Sequence, residues 1–139
     1  MALNVALLES SFAAVAPRGQ DLVEVFYRNL FADYPAVIPL FADVDPVEQR
    51  KKLLASLKLA VENLRRPEVL VPALEAMGSR HVDYGAREEH YPAVGATLLK
   101  SLAEIAGPIW NDELARAWAD AYGAISEHML HGAAATAAV

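Results

Sequence analysis

Histidine and carboxylate side chains are the strongest candidates for metal chemistry in this sequence, because it has four histidines and no cysteine. Without cysteine there is no thiolate nucleophile, iron–sulfur ligation or zinc-finger site, so a metal must be held by His or carboxylate. The histidines also lack the His-x-x-x-His and Glu-x-x-His pairings of a di-metal helical bundle. They are His81, His90, His128 and His131.

Two of these histidines are three residues apart in the last apolar stretch. His128 and His131 can share one face of a helix, so they form a metal site or a solvated pair. We expect the solvated pair, because they lie next to an Ala-rich tail without helical periodicity. Hydrolase and nucleotide-binding functions have little support, since the sequence has no Gly-rich phosphate loop and no nucleophile elbow.

The composition is that of a folded acidic protein. The 139 residues are 55% hydrophobic and 22% charged, with a net charge of −6. This length predicts one domain, and the charge argues against nucleic acid or an anionic membrane surface as the main partner. No apolar run approaches the ~18 residues needed to span a bilayer. The absence of cysteine fits a reducing compartment, so we expect a cytoplasmic protein.

The N-terminal stretch Met1–Ala16 has two interpretations. It is apolar and ends in Ala14-Val15-Ala16, which is similar to a signal-peptidase site. However, it has no basic n-region, and polar residues interrupt the apolar run. The helical spacing of Leu3, Leu7 and Phe12 instead favours an amphipathic first helix.

Helical periodicity extends over almost the whole chain, and no segment alternates like a strand. Asp45, followed by Pro46 and Glu48, predicts a capped helix start, and Asn111 predicts another cap. The expected later helices are 21–33, 45–64, 68–82, 91–106 and 111–130, with a short turn near 34–41. The sequence therefore predicts a single all-α domain over 1–139, with 132–139 as a frayed tail.

The order of several short motifs resembles bacterial globins. The front half contains Phe26-Tyr27-Arg28-Asn29-Leu30-Phe31, Pro35, Pro39-Leu40-Phe41 and Glu48-Gln49. The back half contains Arg80-His81-Val82-Asp83-Tyr84-Gly85, His90-Tyr91-Pro92-Ala93-Val94-Gly95, Trp118 and Tyr122-Gly123. The sequence is similar to single-domain relatives of the flavohaemoglobin haem domain, the group that includes the Vitreoscilla-type haemoglobin. The similarity extends from about Leu7 to Leu130.

The resemblance implies a globin fold of six to eight helices around haem b, iron protoporphyrin IX. It places His81 as the proximal iron ligand and Phe41 as the aromatic ring that wedges against the porphyrin. A ligating imidazole needs its second ring nitrogen hydrogen-bonded, because that bond fixes the tautomer and direction.

The same resemblance identifies Tyr27 and Gln49 as the distal pair that stabilises a gas ligand. Gln49 and Leu53 are four residues apart and share a helix face that Leu57 continues. Tyr27 lies on the apolar side of its own helix, and a buried phenol generally needs a hydrogen-bond partner. We expect both polar side chains to donate to bound O2, which carries partial negative charge.

Other positions match the family's pocket lining and the edge of the haem. Ordinary core burial explains the apolar ones equally well, because the pocket is itself part of the core. The matching lining residues are Leu53, Leu57, Met77, Val82, Tyr91, Val94, Leu98 and Met129. Lys52 and Arg80 match positions that pair with haem propionates, although charged helix residues are often simply solvated.

The sequence departs from these relatives in two ways. Flavohaemoglobins carry a glutamate on the last helix that makes the proximal His more electron-donating, and its position here is Ala133, with Glu127 nearly two turns earlier. The sequence also ends at Val139, from which we expect any reductase function to come from a separate protein. Both departures disfavour self-sufficient redox catalysis.

Three functions follow from the resemblance. The first is a carrier or store that binds O2 and other diatomic ligands such as NO and CO, with high affinity from the distal pair. The second is a nitric oxide dioxygenase that depends on an external reductase. The third is a helical sensor or interaction module without haem. The sequence leaves monomer and homodimer both open, and we expect no nucleic acid or membrane partner.

Overall fold

The computed structural model describes residues 3–137 and the side chains of 3–134. Six α-helices and no strand are found within this part of the chain, which confirms the all-α prediction. Short 3-10 turns lie at Ala16–Arg18, Pro35–Phe41 and Gly107–Ile109. The helices are α1 (Val5–Val15), α2 (Gly19–Asp33), α3 (Pro46–Glu62), α4 (Pro67–Asp83), α5 (His90–Ala106) and α6 (Asp112–Ala137).

Two of the helix starts were predicted from their capping residues. Asp45 Oδ1 accepts the backbone N–H of Val47 at 2.9 Å. Asn111 Oδ1 accepts the N–H of Leu114 at 2.8 Å. Each side chain satisfies a backbone donor that has no partner within the helix, so both caps are confirmed.

Helix α6 extends beyond its predicted end. It continues to Ala137 rather than stopping near Leu130. The additional residues include four alanines, 133, 134, 135 and 137, and alanine has the highest helix propensity even where apolar periodicity is absent. Residues 138 and 139 of the predicted frayed tail lie outside the described residues.

The core lies between α1, α2, α5 and α6. Its most deeply buried apolar side chains include Leu8, Leu22, Leu30, Leu102 and Trp118. These residues occur at helical spacing on their own elements, so four amphipathic faces close on one another. Tyr27, Phe41 and Leu53 pack against this core.

Helices α4 and α6 pack so closely that their backbones meet. A Cβ atom at Gly78 of α4 would lie 1.8 Å from the carbonyl oxygen of Met129. A Cβ atom at Gly132 of α6 would lie 2.0 Å from the carbonyl oxygen of Glu75. We call this contact the glycine crossing, and it is possible only because both residues lack a side chain.

We expect Gly78→Ala to destabilise the protein by about 1–3 kcal/mol, because the added methyl group overpacks a backbone contact. At 2–4 °C per kcal/mol for a domain of this size, the thermal midpoint falls by roughly 2–12 °C. Thermal unfolding followed by circular dichroism measures this change. Gly123→Ala is the matched control, because a Cβ atom there meets nothing within 4 Å. Equal midpoints for the two variants would contradict the crossing.

Helices α3 and α4 are held by different neighbours. Helix α4 packs mainly on α6, whereas α3 packs on α1 and α2. The two helices do not pack extensively against each other. Side chains of α3 and α4 can therefore line the two sides of a space between these helices, because each helix is held in place by its own neighbours.

Candidate functional site

The end of α4 is fixed four residues beyond His81. Gly85 has a φ of +88°, a backbone conformation that favours glycine. Its N–H donates to the carbonyl oxygen of Val82 at 3.1 Å, and the N–H of Ala86 donates to that of His81 at 3.0 Å. This Schellman pair of bonds ends the helix and holds the backbone of His81 in place.

One ring nitrogen of His81 is bonded to its own helix. Nδ1 lies 2.6 Å from the backbone carbonyl oxygen of Met77, one turn earlier. A carbonyl oxygen only accepts, so Nδ1 carries the proton and Nε2 presents its lone pair. The ring of Tyr84 stands edge-on to the imidazole at a centroid distance of 5.4 Å. His81 is therefore oriented so that Nε2 is the ring nitrogen left to ligate a metal.

Tyr27 of α2 and Gln49 of α3 are hydrogen-bonded to each other. Gln49 Nε2 donates to the hydroxyl oxygen of Tyr27 at 3.1 Å. Because that oxygen acts as the acceptor, the phenol proton remains available for another partner. The two residues are 22 positions apart in the sequence, and the structure brings them together.

Three phenylalanines surround the Tyr27 ring. Phe26 and Phe41 meet it edge-on, with centroids 5.0 and 5.7 Å away, and Phe31 lies 5.9 Å away. Phe31 also contacts Phe41 at 5.4 Å. Edge-to-face contacts of this kind fix ring orientation as well as bury area. The phenol is therefore held in one position within an apolar cluster.

Burial keeps this phenol neutral. It raises the pKa of Tyr27 above the ordinary value, and the hydrogen bond from Gln49 offsets only part of that effect. A neutral phenol is a hydrogen-bond donor, whereas a phenolate is not. Tyr27 thus retains its donor proton throughout the physiological pH range.

The predicted apolar lining residues fall into two groups by burial. Met77, Tyr91 and Leu98 are buried in the core. The others are only partly covered: Leu53, Leu57, Val94 and Met129 are half-buried and Val82 is 36% exposed. Leu53, Leu57 and Val94 each pack against the core cluster on one side. Because they are only half-buried, the other side of each residue is not covered by the protein. Lys52 and Arg80 are exposed.

Tyr122 links the start of α5 to α6. Its hydroxyl donates to the backbone carbonyl of Tyr91 at 2.7 Å. Its ring lies so close to Gly95 that a Cβ there would be 2.6 Å from Tyr122 Cε2. Burial raises the pKa of Tyr122, and the nearby Tyr91 adds to this effect. Burial raises the pKa of Tyr91 as well.

These buried phenols predict a loss of stability at high pH. At high pH the unfolded chain releases the phenol protons while the folded protein retains them. The phenols therefore contribute fully to the free energy of unfolding below about pH 10, and this contribution falls as the pH rises above that value. Each phenol contributes a slope of at most about 1.4 kcal/mol per pH unit. Urea unfolding from pH 8 to 11 should show a shallower decline in Tyr122→Phe. Tyr84→Phe is the control, because Tyr84 is 57% exposed. The interpretation is contradicted if Tyr122→Phe declines as steeply as the unmodified protein, or if Tyr84→Phe gives the same shallower decline.

The remaining histidines are engaged elsewhere or lie apart from this site. The described residues contain no group of three or more His, Asp or Glu side chains that could hold a metal ion. His131 pairs with Glu75 across α4 and α6 at 2.5 Å, and His90 Nδ1 accepts the N–H of Arg87 at 2.9 Å. Within residues 3–137, every helix is too short or too polar to span a bilayer.

Comparison with known families settles the class of the protein. The sequence pattern of the family described as Globin matches residues 24–129. This match includes α3, α4, α5 and most of α2, and with them the site residues from Tyr27 to Met129. The chain is a globin. The globin fold predicted from the sequence is thus confirmed.

The curated relatives of this globin include flavohaemoproteins. One from Bordetella parapertussis is 33% identical over 127 residues, which cover 90% of this chain and 32% of the relative. One from Bacillus cereus is 29% identical over 126 residues, with 89% and 31% coverage. The globin therefore spans about a third of the length of these relatives.

Solved structures of similar fold match nearly the whole globin. A bacterial globin from Campylobacter jejuni has a TM-score of 0.86 and 29% identity, with 97% of both chains covered. An engineered carbene transferase from Rhodothermus marinus, named as a candidate nitric oxide dioxygenase, has a TM-score of 0.87 and 27% identity. That match covers 96% of this chain and 93% of the other.

The side chains of this globin fit a haem group. Nδ1 of His81 is bonded to Met77, which leaves Nε2 as the donor that a haem iron takes from a proximal histidine. The helix of His81 packs mainly on α6, whereas the helix of Gln49 packs on α1 and α2. Apolar residues between them have uncovered sides that a porphyrin would bury.

Besides the Gln49–Tyr27 hydrogen bond, two features of the site were not predicted from the sequence. One is the backbone carbonyl of Met77 as the partner of His81, although an acceptor four residues earlier on a helix is a general possibility. The other is Phe31, whose spacing of four from Tyr27 was a usable signal for their contact.

Proposed function

We propose that this globin binds O2 reversibly on haem b and serves as an oxygen carrier or store. One observation carries the proposal: Gln49 donates to the Tyr27 oxygen, so the Tyr27 proton is available to a ligand. A hydrogen bond that involves a charged partner contributes about 1.5–3 kcal/mol. This corresponds to roughly a ten- to hundredfold slower loss of a ligand that carries partial negative charge.

Haem supplies a ferrous iron that coordinates diatomic gases. His81 would hold that group through Nε2, because the Met77 carbonyl takes the other ring nitrogen. Tyr27 donates its proton toward the distal space, and Gln49 fixes the direction of that phenol. Phe41 and its aromatic neighbours exclude water around the phenol. Lys52 and Arg80, both exposed, are the proposed partners of the propionates.

The proximal side favours reversible binding over redox chemistry. The described bond of His81 Nδ1 is to a neutral backbone carbonyl. A carboxylate in that place would raise the basicity of the imidazole. Glu75, which lies on the same helix, is paired with His131 instead. His81 is thus a moderately donating ligand, which supports a stable ferrous state.

Ultraviolet–visible spectroscopy of the haem-reconstituted protein tests the proposal. We expect a strong Soret band, a five-coordinate ferrous spectrum and a spectral change with O2 that reverses under argon. A six-coordinate ferrous spectrum would mean that an internal side chain closes the site, which contradicts simple storage. Absence of haem uptake would favour the alternative of a helical sensor or interaction module.

A second candidate function is nitric oxide dioxygenation. It is favoured by the flavohaemoprotein relatives and by the similar Rhodothermus marinus protein. Repeated turnover would need electrons from an external reductase as partner. The test is sustained consumption of nitric oxide with a cellular reductase and NADH, compared with a single turnover in their absence. A reaction that stops after one equivalent would reject this candidate.

The proposed setting is a cytoplasmic protein in which residues 1–139 form one globin domain. The excess of acidic over basic side chains supports the proposal that neither nucleic acid nor a membrane is a partner of this protein. NO and CO are proposed as further ligands, because they bind ferrous haem as O2 does. Sedimentation of the haem-loaded protein distinguishes a monomer from a homodimer.

A further inference from the structure

Tyr84 is an aromatic residue that the fold leaves at the surface next to His81. It is 57% exposed, the largest exposed fraction among the large hydrophobic residues within 3–134. Its ring contacts the imidazole of His81 at a centroid distance of 5.4 Å, with an interplanar angle of 65°. Burial in the core therefore does not explain an aromatic ring at this position, whereas the contact with His81 offers a reason for it.

The backbone on both sides of Tyr84 is fixed. Its N–H donates to the carbonyl oxygen of His81 at 3.1 Å, and the N–H of Ala86 donates to the same oxygen at 3.0 Å. Gly85, between them, lies so close to the Pro35–Phe41 turn that a Cβ atom there would be 3.2 Å from Leu40 Cδ2. The turn after α4 therefore holds the backbone of Tyr84 in a set position relative to His81.

The hydrogen bond to Met77 restricts the imidazole of His81 without fixing its plane completely. It holds Nδ1 at 2.6 Å from the carbonyl oxygen of Met77. Rotation of an imidazole about its Cβ–Cγ bond has a broad energy profile. The ring can therefore tilt about that bond while the hydrogen bond stays within its angular tolerance. An edge-to-face contact favours one relative orientation of two rings, so the ring of Tyr84 limits this tilt.

We propose that Tyr84 is a positioning residue for His81, and that its ring sets the rotation of the imidazole about the bond that Nε2 would form to iron. This inference rests on the proposed function, because it requires His81 to be the proximal ligand. Partners outside the ligand shell orient a ligating imidazole and thereby tune the metal. The contact is between the two rings, so the role belongs to the aromatic ring and not to the hydroxyl group.

Resonance Raman spectroscopy of the ferrous, haem-loaded protein tests this role through the iron–histidine stretching band. Tyr84→Ala should shift and broaden the band, because the imidazole then samples several tilts, and should speed haem loss roughly two- to tenfold. Tyr84→Phe should keep the band and the rate of the unmodified protein, because it retains the ring. Ile109→Ala is the matched control: it removes another exposed side chain, 47% exposed, from the turn between α5 and α6.

The band frequency separates positioning of the imidazole from general support of the fold. Faster haem loss in Tyr84→Ala with the band at its native frequency would overturn the proposal, because it would indicate only a looser α4. A shifted band in Tyr84→Phe would also overturn it, because the hydroxyl would then be the active group. If Tyr84→Ala does not retain haem, Tyr84→Leu keeps apolar bulk without a ring, and a native band in that variant would contradict the inference.

The unmodified protein distinguishes failure of this inference from failure of the proposed function. Haem uptake without an iron–histidine band, or no haem uptake, would refute the proposed proximal ligand and with it the role of Tyr84. A normal band in the unmodified protein that persists unchanged in Tyr84→Ala would refute the role of Tyr84 alone.

Discussion

Replacing His81 with glycine is expected to remove the five-coordinate ferrous spectrum and to speed haem loss by more than about 100-fold. Loss of an outer-shell partner alone costs 10- to 100-fold in metal affinity, and this change removes the ligand itself. Transfer of haem to an excess of an apoglobin acceptor measures the rate. Added imidazole should restore the spectrum, because the substitution leaves a space for the free ligand.

His128→Gly is the control for this experiment. It removes an imidazole from α6, which packs on the helix of His81. Its haem-loss rate and spectrum should match those of the unmodified protein. Retention of the native ferrous spectrum in the His81 variant would contradict the proximal assignment, whatever the stability of that variant.

Tyr27→Phe is expected to raise the O2 dissociation rate about 10- to 100-fold. The substitution removes the only proton that the phenol can donate, and this bond contributes about 1.5–3 kcal/mol when its partner is charged. CO develops much less negative charge, so its dissociation rate should change far less. Stopped-flow displacement of O2 by CO measures the first rate, and displacement of CO by NO measures the second.

Gln49→Leu separates the orienting role of the glutamine from direct donation. If Gln49 acts mainly through Tyr27, O2 dissociation should rise less than in Tyr27→Phe, and the double variant should resemble Tyr27→Phe alone. Tyr34→Phe is the matched control for loss of a phenol hydroxyl outside the aromatic cluster. Equal O2 dissociation rates in the unmodified and Tyr27→Phe proteins would reject the distal mechanism.

The helices were predictable because their signals are local. Asp45 and Asn111 satisfy donors within three residues of themselves, so the sequence alone contains all that is needed. The end of α6 was predicted too early, because apolar periodicity reports packing and not helix propensity. The alanine-rich segment after Leu130 remains helical to Ala137 with little periodic signal.

The site was predictable only in part, for a physical reason. Family resemblance led us to expect Tyr27, Gln49 and His81 at the site, because their residue types suit the proposed chemistry. It did not reveal that Gln49 donates to Tyr27, because that bond depends on how α2 and α3 are placed. The glycine crossing is likewise a product of tertiary packing. Gly78, Gly132 and Gly123 look alike in the sequence, yet only the first two meet another backbone.

The glycine crossing has a consequence for the order of assembly during synthesis. Helix α4, which carries His81, packs mainly on α6, and α6 is translated after α5. While α6 is still within the ribosome, α4 therefore has little to pack against. Cofactor loading on the nascent chain should consequently be inefficient until α6 emerges. Capture of the prosthetic group is then an event that follows translation of this helix.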